Sequence, residues 1–129
     1  MRAKCISTVP TKEQAAALGH HYVTGKTEYL LDVGVEYTVL GVGFWDGVGW
    51  FEIAPSMRTL VSVPAVLFEI TDGRPSRYWV IRMHDDGAIT LWPPSFYHPY
   101  YHDHLSEGAE EAVDDFRHLF TLLEKEAIA

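Results

Sequence analysis

Histidines are the residues of this chain with the most chemistry to offer. His98, His102 and His104 stand with Asp103 in the run SFYHPYYHDH. Two histidines one residue apart can chelate a metal from a strand or a turn, and a third at short range could complete a three-ligand site. No carboxylate stands at a recognised metalloenzyme spacing and HExxH is absent, so packing and hydrogen bonding are the simpler roles, and no cofactor is expected. His20-His21 is a second possible ligand pair, more simply read as exposed side chains of a polar loop. His84 could form an acid–base couple with Asp85-Asp86, although a strand end before Gly87 fits a turn better. No nucleophile has a supporting base at a known spacing, and GxSxG is absent. The single Cys5 excludes an internal disulfide and a cysteine zinc site, and reads as a buried thiol. GVGFWDGVG lacks the Lys-Ser/Thr of a phosphate loop and opens no helix. Glu28, Asp32 and Glu36 are too scattered for a catalytic carboxylate pair. The expectation is a protein that is not an enzyme.

Recognition is better provided for than catalysis. Aromatic residues make up 13% of the chain and concentrate in its middle. Tyr97, Tyr100 and Tyr101, with Trp92 before them, could form a recognition surface, because tyrosine and tryptophan bury large area at low entropy cost. The same rings could instead pack the junction between sheet and helix. Acids follow directly: Asp103, Glu107, Glu110, Glu111, Asp114 and Asp115. From His102 onward eight acidic residues face only Arg117 and Lys125, so −6 of the total charge of −8 lies in the last 28 residues. Phosphate backbones would be repelled, which argues against nucleic acid. A basic protein partner would be attracted, unless the acids are simply a solvated helix face. No apolar run approaches the roughly 20 residues that span a bilayer, so no membrane association is expected. The first residues, MRAKCISTVPTKEQ, lack the apolar core of a signal peptide, so the cytoplasm is the expected compartment.

The elements that must position these residues are organised around one hairpin, 35–53, VEYTVLGVGFWDGVGWFEI. Asp46-Gly47 suits a two-residue turn in which both positions need positive φ. That turn sets Trp45 opposite Val48, Phe44 opposite Gly49, Gly43 opposite Trp50, Val42 opposite Phe51 and Leu40 opposite Ile53. Alternation then gives a core face of Leu40, Val42, Phe44, Phe51 and Ile53. Trp45 and Trp50 share the other face with Gly41, Gly43 and Glu52, either capping a small cluster or offering a second partner surface. The Trp50 ring is expected to cover the bare backbone of Gly43.

Further strands are expected at 4–9, 26–31, 65–71, 76–84 and 88–92, and 54–63 reads as a connection between Pro55 and Pro64. Thr11 should cap a short helix through Ala15 to Leu18, stopped by Gly19. The run 95–104 reads as an aromatic and histidine loop. Ser106 should cap a helix from 107 to about 127, with Ala109, Ala112, Val113, Phe116, Leu119, Phe120 and Leu123 on its apolar face. The chain length of 129 residues fits one domain. It divides into an N-terminal strand and helix (1–33), a barrel (34–93), the loop (94–105) and the helix (106–127). Short strands separated by Gly and Asp turns suggest a small antiparallel barrel or sandwich.

Three stretches, GVEYTVLGVGFWDGVGWFEI, PAVLFEITDGRPSRYW and LSEGAEEAVDDF, together resemble a family of small bacterial immunity-type or uncharacterised domains. The resemblance covers roughly 34–123. It implies an α+β fold, an SH3-like barrel of about five strands with a long C-terminal helix. It also implies a non-enzymatic role: binding and blocking a cognate toxin. The residues expected to meet such a partner are Tyr97, Tyr100, Tyr101, Asp103, Glu107, Glu110, Glu111 and Asp114, with Trp45 and Trp50 as a second patch. The alternatives are a metal-binding protein or metal-dependent enzyme using His98, His102 and His104, and a structural subunit of a larger assembly. The sequence leaves the oligomeric state open.

Overall fold

The computed structural model describes residues 1–25, 29–57 and 59–129. Among these residues it is an α+β fold of two antiparallel sheets and three α-helices. The strands are β1 (Arg2–Cys5), β2 (Glu36–Thr38), β3 (Gly41–Trp45), β4 (Val48–Ser56), β5 (Thr59–Pro64), β6 (Phe68–Asp72), β7 (Val80–Met83) and β8 (Ile89–Trp92). The helices are α1 (Lys12–Leu18), α2 (Tyr101–Ser106) and α3 (Glu110–Ile128). One sheet has the order β2-β1-β6 and the other β5-β4-β3-β8-β7. The larger sheet stays open, with β5 and β7 at its edges, so where a barrel or sandwich of about five strands was expected, eight strands form two sheets among the described residues.

The β3–β4 hairpin has the expected register from Trp45↔Val48 to Val42↔Phe51. Asp46 and Gly47 take φ of 54° and 73°, the left-handed pair that a two-residue turn of this hand requires. Alternation then sorts the core. Val42, Phe51, Ile53 and Val63 of the larger sheet pack with Ala3, Cys5 and Phe68 of the smaller one, so the two sheets lie face to face. The opposite face of the larger sheet, through Trp92, Leu60 and Ala54, meets Leu105 of α2 and Val113, Phe116 and Leu123 of α3. Two expected core residues go elsewhere. Leu40 is fully buried but joins the helical cluster, and Phe44, near the hairpin turn, is 50% exposed.

Other boundaries move for physical reasons. The expected connection 54–63 is mostly strand: β4 runs on to Ser56, and β5 pairs back onto it through Ile53↔Val61 and Phe51↔Val63. Pro55 falls where the register shifts and Pro64 at the strand end, positions where a missing N–H is tolerated. The strand expected at 4–9 is β1, shifted to Arg2–Cys5. Of the strand expected at 26–31, residues 26–28 lie outside the described residues and 29–31 are irregular. The strand expected at 65–71 opens with a 3-10 turn, Ala65–Leu67. The one expected at 76–84 shortens to β7, with Tyr78 and Trp79 in the preceding turn. Thr11 caps α1 as expected, in a reciprocal box with Gln14.

Candidate functional site

The segment after β8 is built by two prolines. Pro93 and Pro94 end the strand and open a 3-10 turn, Pro94–Tyr97, whose Phe96 is buried against the helices. The expected loop 94–105 is thus a 3-10 turn followed by the short helix α2. Between them, Tyr100 takes a left-handed φ of 63° and stands 71% exposed. Helical spacing then sends Tyr101 and Leu105 inward, while Asp103 and His104 stay exposed. Gly108, at φ 77°, breaks the chain between α2 and α3. Ser106 therefore ends α2 instead of capping α3, and its hydroxyl donates back to the His102 carbonyl. The long helix begins at Glu110 without a side-chain cap, and Glu110 and Glu111 in its first turn complement the helix dipole.

A cleft of about 380 Å³ opens between α2 and α3, lined by His98, Tyr101 and His104 on one side and by Glu111 and Asp115 on the other. The Tyr101 hydroxyl donates to Asp115 Oδ2 at 2.8 Å and ties the two helices together. Burial, and then the Asp115 carboxylate, push the Tyr101 phenol far above its ordinary value, so it remains a neutral donor. Glu111 and Asp115 are the acids that line the cleft, and Asp103, Glu107, Glu110 and Asp114 on the same segment are also exposed. The Tyr100 ring lies near His104, centroids 6.3 Å apart. The segment 100–115 thus offers one exposed tyrosine ring and six exposed carboxylates.

The tyrosines expected to act together are separated. Tyr97 turns to the β7–β8 pair, where its hydroxyl donates to the Val80 carbonyl at 2.9 Å and the Arg82 guanidinium lies 4.1 Å over its ring. Thr90 Oγ1 stands 2.7 Å from that hydroxyl and 2.9 Å from His84 Nε2. Because Tyr97 spends its proton on Val80, Thr90 must donate to Tyr97 and His84 Nε2 to Thr90. The His84 ring thus serves the sheet, and the His84 N–H closes the β7–β8 turn onto the Ala88 carbonyl. Tyr101 is 7% exposed, which leaves Tyr100 as the ring of the three that a partner can reach broadly.

The histidine set does not converge. In a helix, residues two apart point in nearly opposite directions. His102 reaches back to the larger sheet, with Nε2 3.7 Å from Glu52 Oε2, whereas His98 and His104 line the cleft. The metal reading assumed a strand or turn at 102–104, and α2 removes that basis.

Sequence reasoning missed Glu52 as a structural centre. It is 1% exposed and accepts a 2.6 Å hydrogen bond from Ser62 Oγ across the β4–β5 pair. A lone carboxylate inside the run Trp50-Phe51-Glu52-Ile53 was the available signal. Trp50 is also buried, at 6%, under Leu18 of α1, and it stacks on half-buried Trp45 with centroids 5.2 Å apart. It is the Trp45 ring that covers Gly43: a Cβ there would meet it at 2.2 Å.

Among the described residues no helix is long and apolar enough to cross a membrane. Comparison with protein-family models, with curated proteins and with solved structures finds no match for this chain.

Proposed function

We propose that the protein is a non-enzymatic protein-binding module, immunity-like in role, whose α2–α3 surface covers a basic cleft on a partner such as a toxin domain. The observation that carries this reading is Tyr100: an exposed aromatic ring held in a left-handed backbone between Pro99 and Tyr101, two residues that line the cleft with Glu111 and Asp115. Non-glycine residues in that region are uncommon, and strained positions collect at binding sites. Carboxylates would speed encounter with a basic partner, and the ring would supply the anchor. The mechanism is steric and electrostatic occlusion, and the resemblance to immunity-type domains supplies the expectation of a toxin.

The test is the affinity of a captured basic partner for wild type and for Tyr100→Ala. Truncating an anchor should weaken binding by at least about tenfold, with α-helical content unchanged. Equal affinity for both proteins would remove Tyr100, and with it the observation on which the reading rests.

A further inference from the structure

Gly19, at φ 56°, stops α1 and leads into one 3-10 turn, Gly19–His21. The tip of the β3–β4 hairpin meets that turn. His21 is held by Trp50, with the two rings edge to face and centroids 5.2 Å apart, and Trp50 in turn stacks on Trp45. Asp46, fixed by the hairpin turn, presents Oδ2 to His21 Nε2 at 2.9 Å. The His20 ring lies beside that of His21, centroids 4.1 Å apart. One nitrogen of each imidazole and one oxygen of Asp46 all fall within 4.8 Å of one another, the one such group of three among the described residues.

These donors come from two segments 25 residues apart and converge on a stacked tryptophan floor. Donor atoms sharing a tetrahedral ion at 2.0–2.1 Å stand about 3.3 Å apart. His21 and Asp46 are already that close, and rotation of the exposed His20 side chain can close the remainder. Two imidazoles and one carboxylate suit Zn²⁺ and its neighbours, and offer too few oxygens for Ca²⁺ or Mg²⁺. We propose that His20, His21 and Asp46 form a zinc site that ties the turn after α1 to the tip of the β3–β4 hairpin. The ion takes the place of the proton shared between His21 and Asp46, and its fourth position faces solvent.

The experiment is calorimetric titration of ZnCl₂ into the full chain without a histidine tag. Co²⁺ absorption serves as a second readout of coordination by nitrogen and oxygen. His20→Ala alters an exposed side chain, and Asp46→Asn keeps a residue that tolerates positive φ, so circular dichroism should show both folded. Wild type should take up one equivalent of Zn²⁺. Each variant should lose more than about tenfold in affinity, the cost of removing even an outer partner of a metal ligand. The double variant His98→Ala/His104→Ala should bind as wild type does. No saturable uptake by wild type, unchanged affinity in His20→Ala or Asp46→Asn, or loss of uptake in the His98/His104 variant would each overturn the assignment.

Discussion

Tyr100 holds φ at 63° where glycine would sit without strain. A left-handed residue costs roughly 1–2 kcal/mol, and glycine returns part of that gain as unfolded-chain entropy. Tyr100→Gly should therefore raise stability by roughly 0.5–1 kcal/mol in urea unfolding while abolishing the anchor; a loss of stability would show that the ring has a packing role. The opposite logic holds at Gly43, whose added Cβ would strike the Trp45 ring clamped against Trp50. Gly43→Ala should cost about 1–3 kcal/mol and weaken the near-UV signal of the stacked tryptophans. Glu52→Ala should cost about 2–4 kcal/mol, because it leaves Ser62 and His102 facing a cavity, whereas Glu52→Met should cost less. At this scale the sequence told only part of the story. The pairing of Gly43 with Trp50 was legible, but the ring that fills the space belongs to Trp45, two residues along the same strand. Pairing registers say which Cα atoms face each other, not how a large side chain folds back.

At the scale of elements, local chemistry made some pieces readable. Asp46-Gly47 dictated the turn, and the turn dictated the β3–β4 register. Thr11 and Gln14 satisfy each other's backbone N–H groups, at 2.8 Å and 3.2 Å, and so fix the start of α1. Thr11→Ala should cost about 1 kcal/mol, measured by thermal unfolding, and protection of the α1 amides in hydrogen exchange should fall with it. Other pieces depended on packing between distant segments. The strand β5 was hidden between two prolines, and only its pairing with β4 shows that neither proline falls where a ladder N–H is required. The six-residue α2 is too short for its periodicity to stand out, and recognising it depends on Tyr101 and Leu105 both entering the helical core. Missing α2 had the larger consequence, because a loop permits three histidines to meet and a helix sends His102 away from His104.

For the whole molecule, the uneven charge is the property most directly tied to the proposed role. The acids of the last 28 residues were legible as a block, and two of them, Glu111 and Asp115, line the cleft between α2 and α3. Which tyrosine would stand among them was not legible, since the separate paths of Tyr97, Tyr100 and Tyr101 depend on a left-handed residue and a 3-10 turn. Reversing Glu107, Glu111 and Asp114 to Lys should keep the fold, at a helix-dipole cost of about 1 kcal/mol. It should also slow association with a basic partner, most strongly at low salt, where screening extends only beyond about 30 Å. The measurement that tests the central claim most directly is a paired capture experiment. Tagged wild type and this triple variant are exposed to lysate of the source organism at low ionic strength, and retained proteins are quantified by mass spectrometry. The proposed role predicts one dominant basic protein on wild type and its loss from the variant. Equal retention by both, or a dominant partner that is not basic, would contradict it.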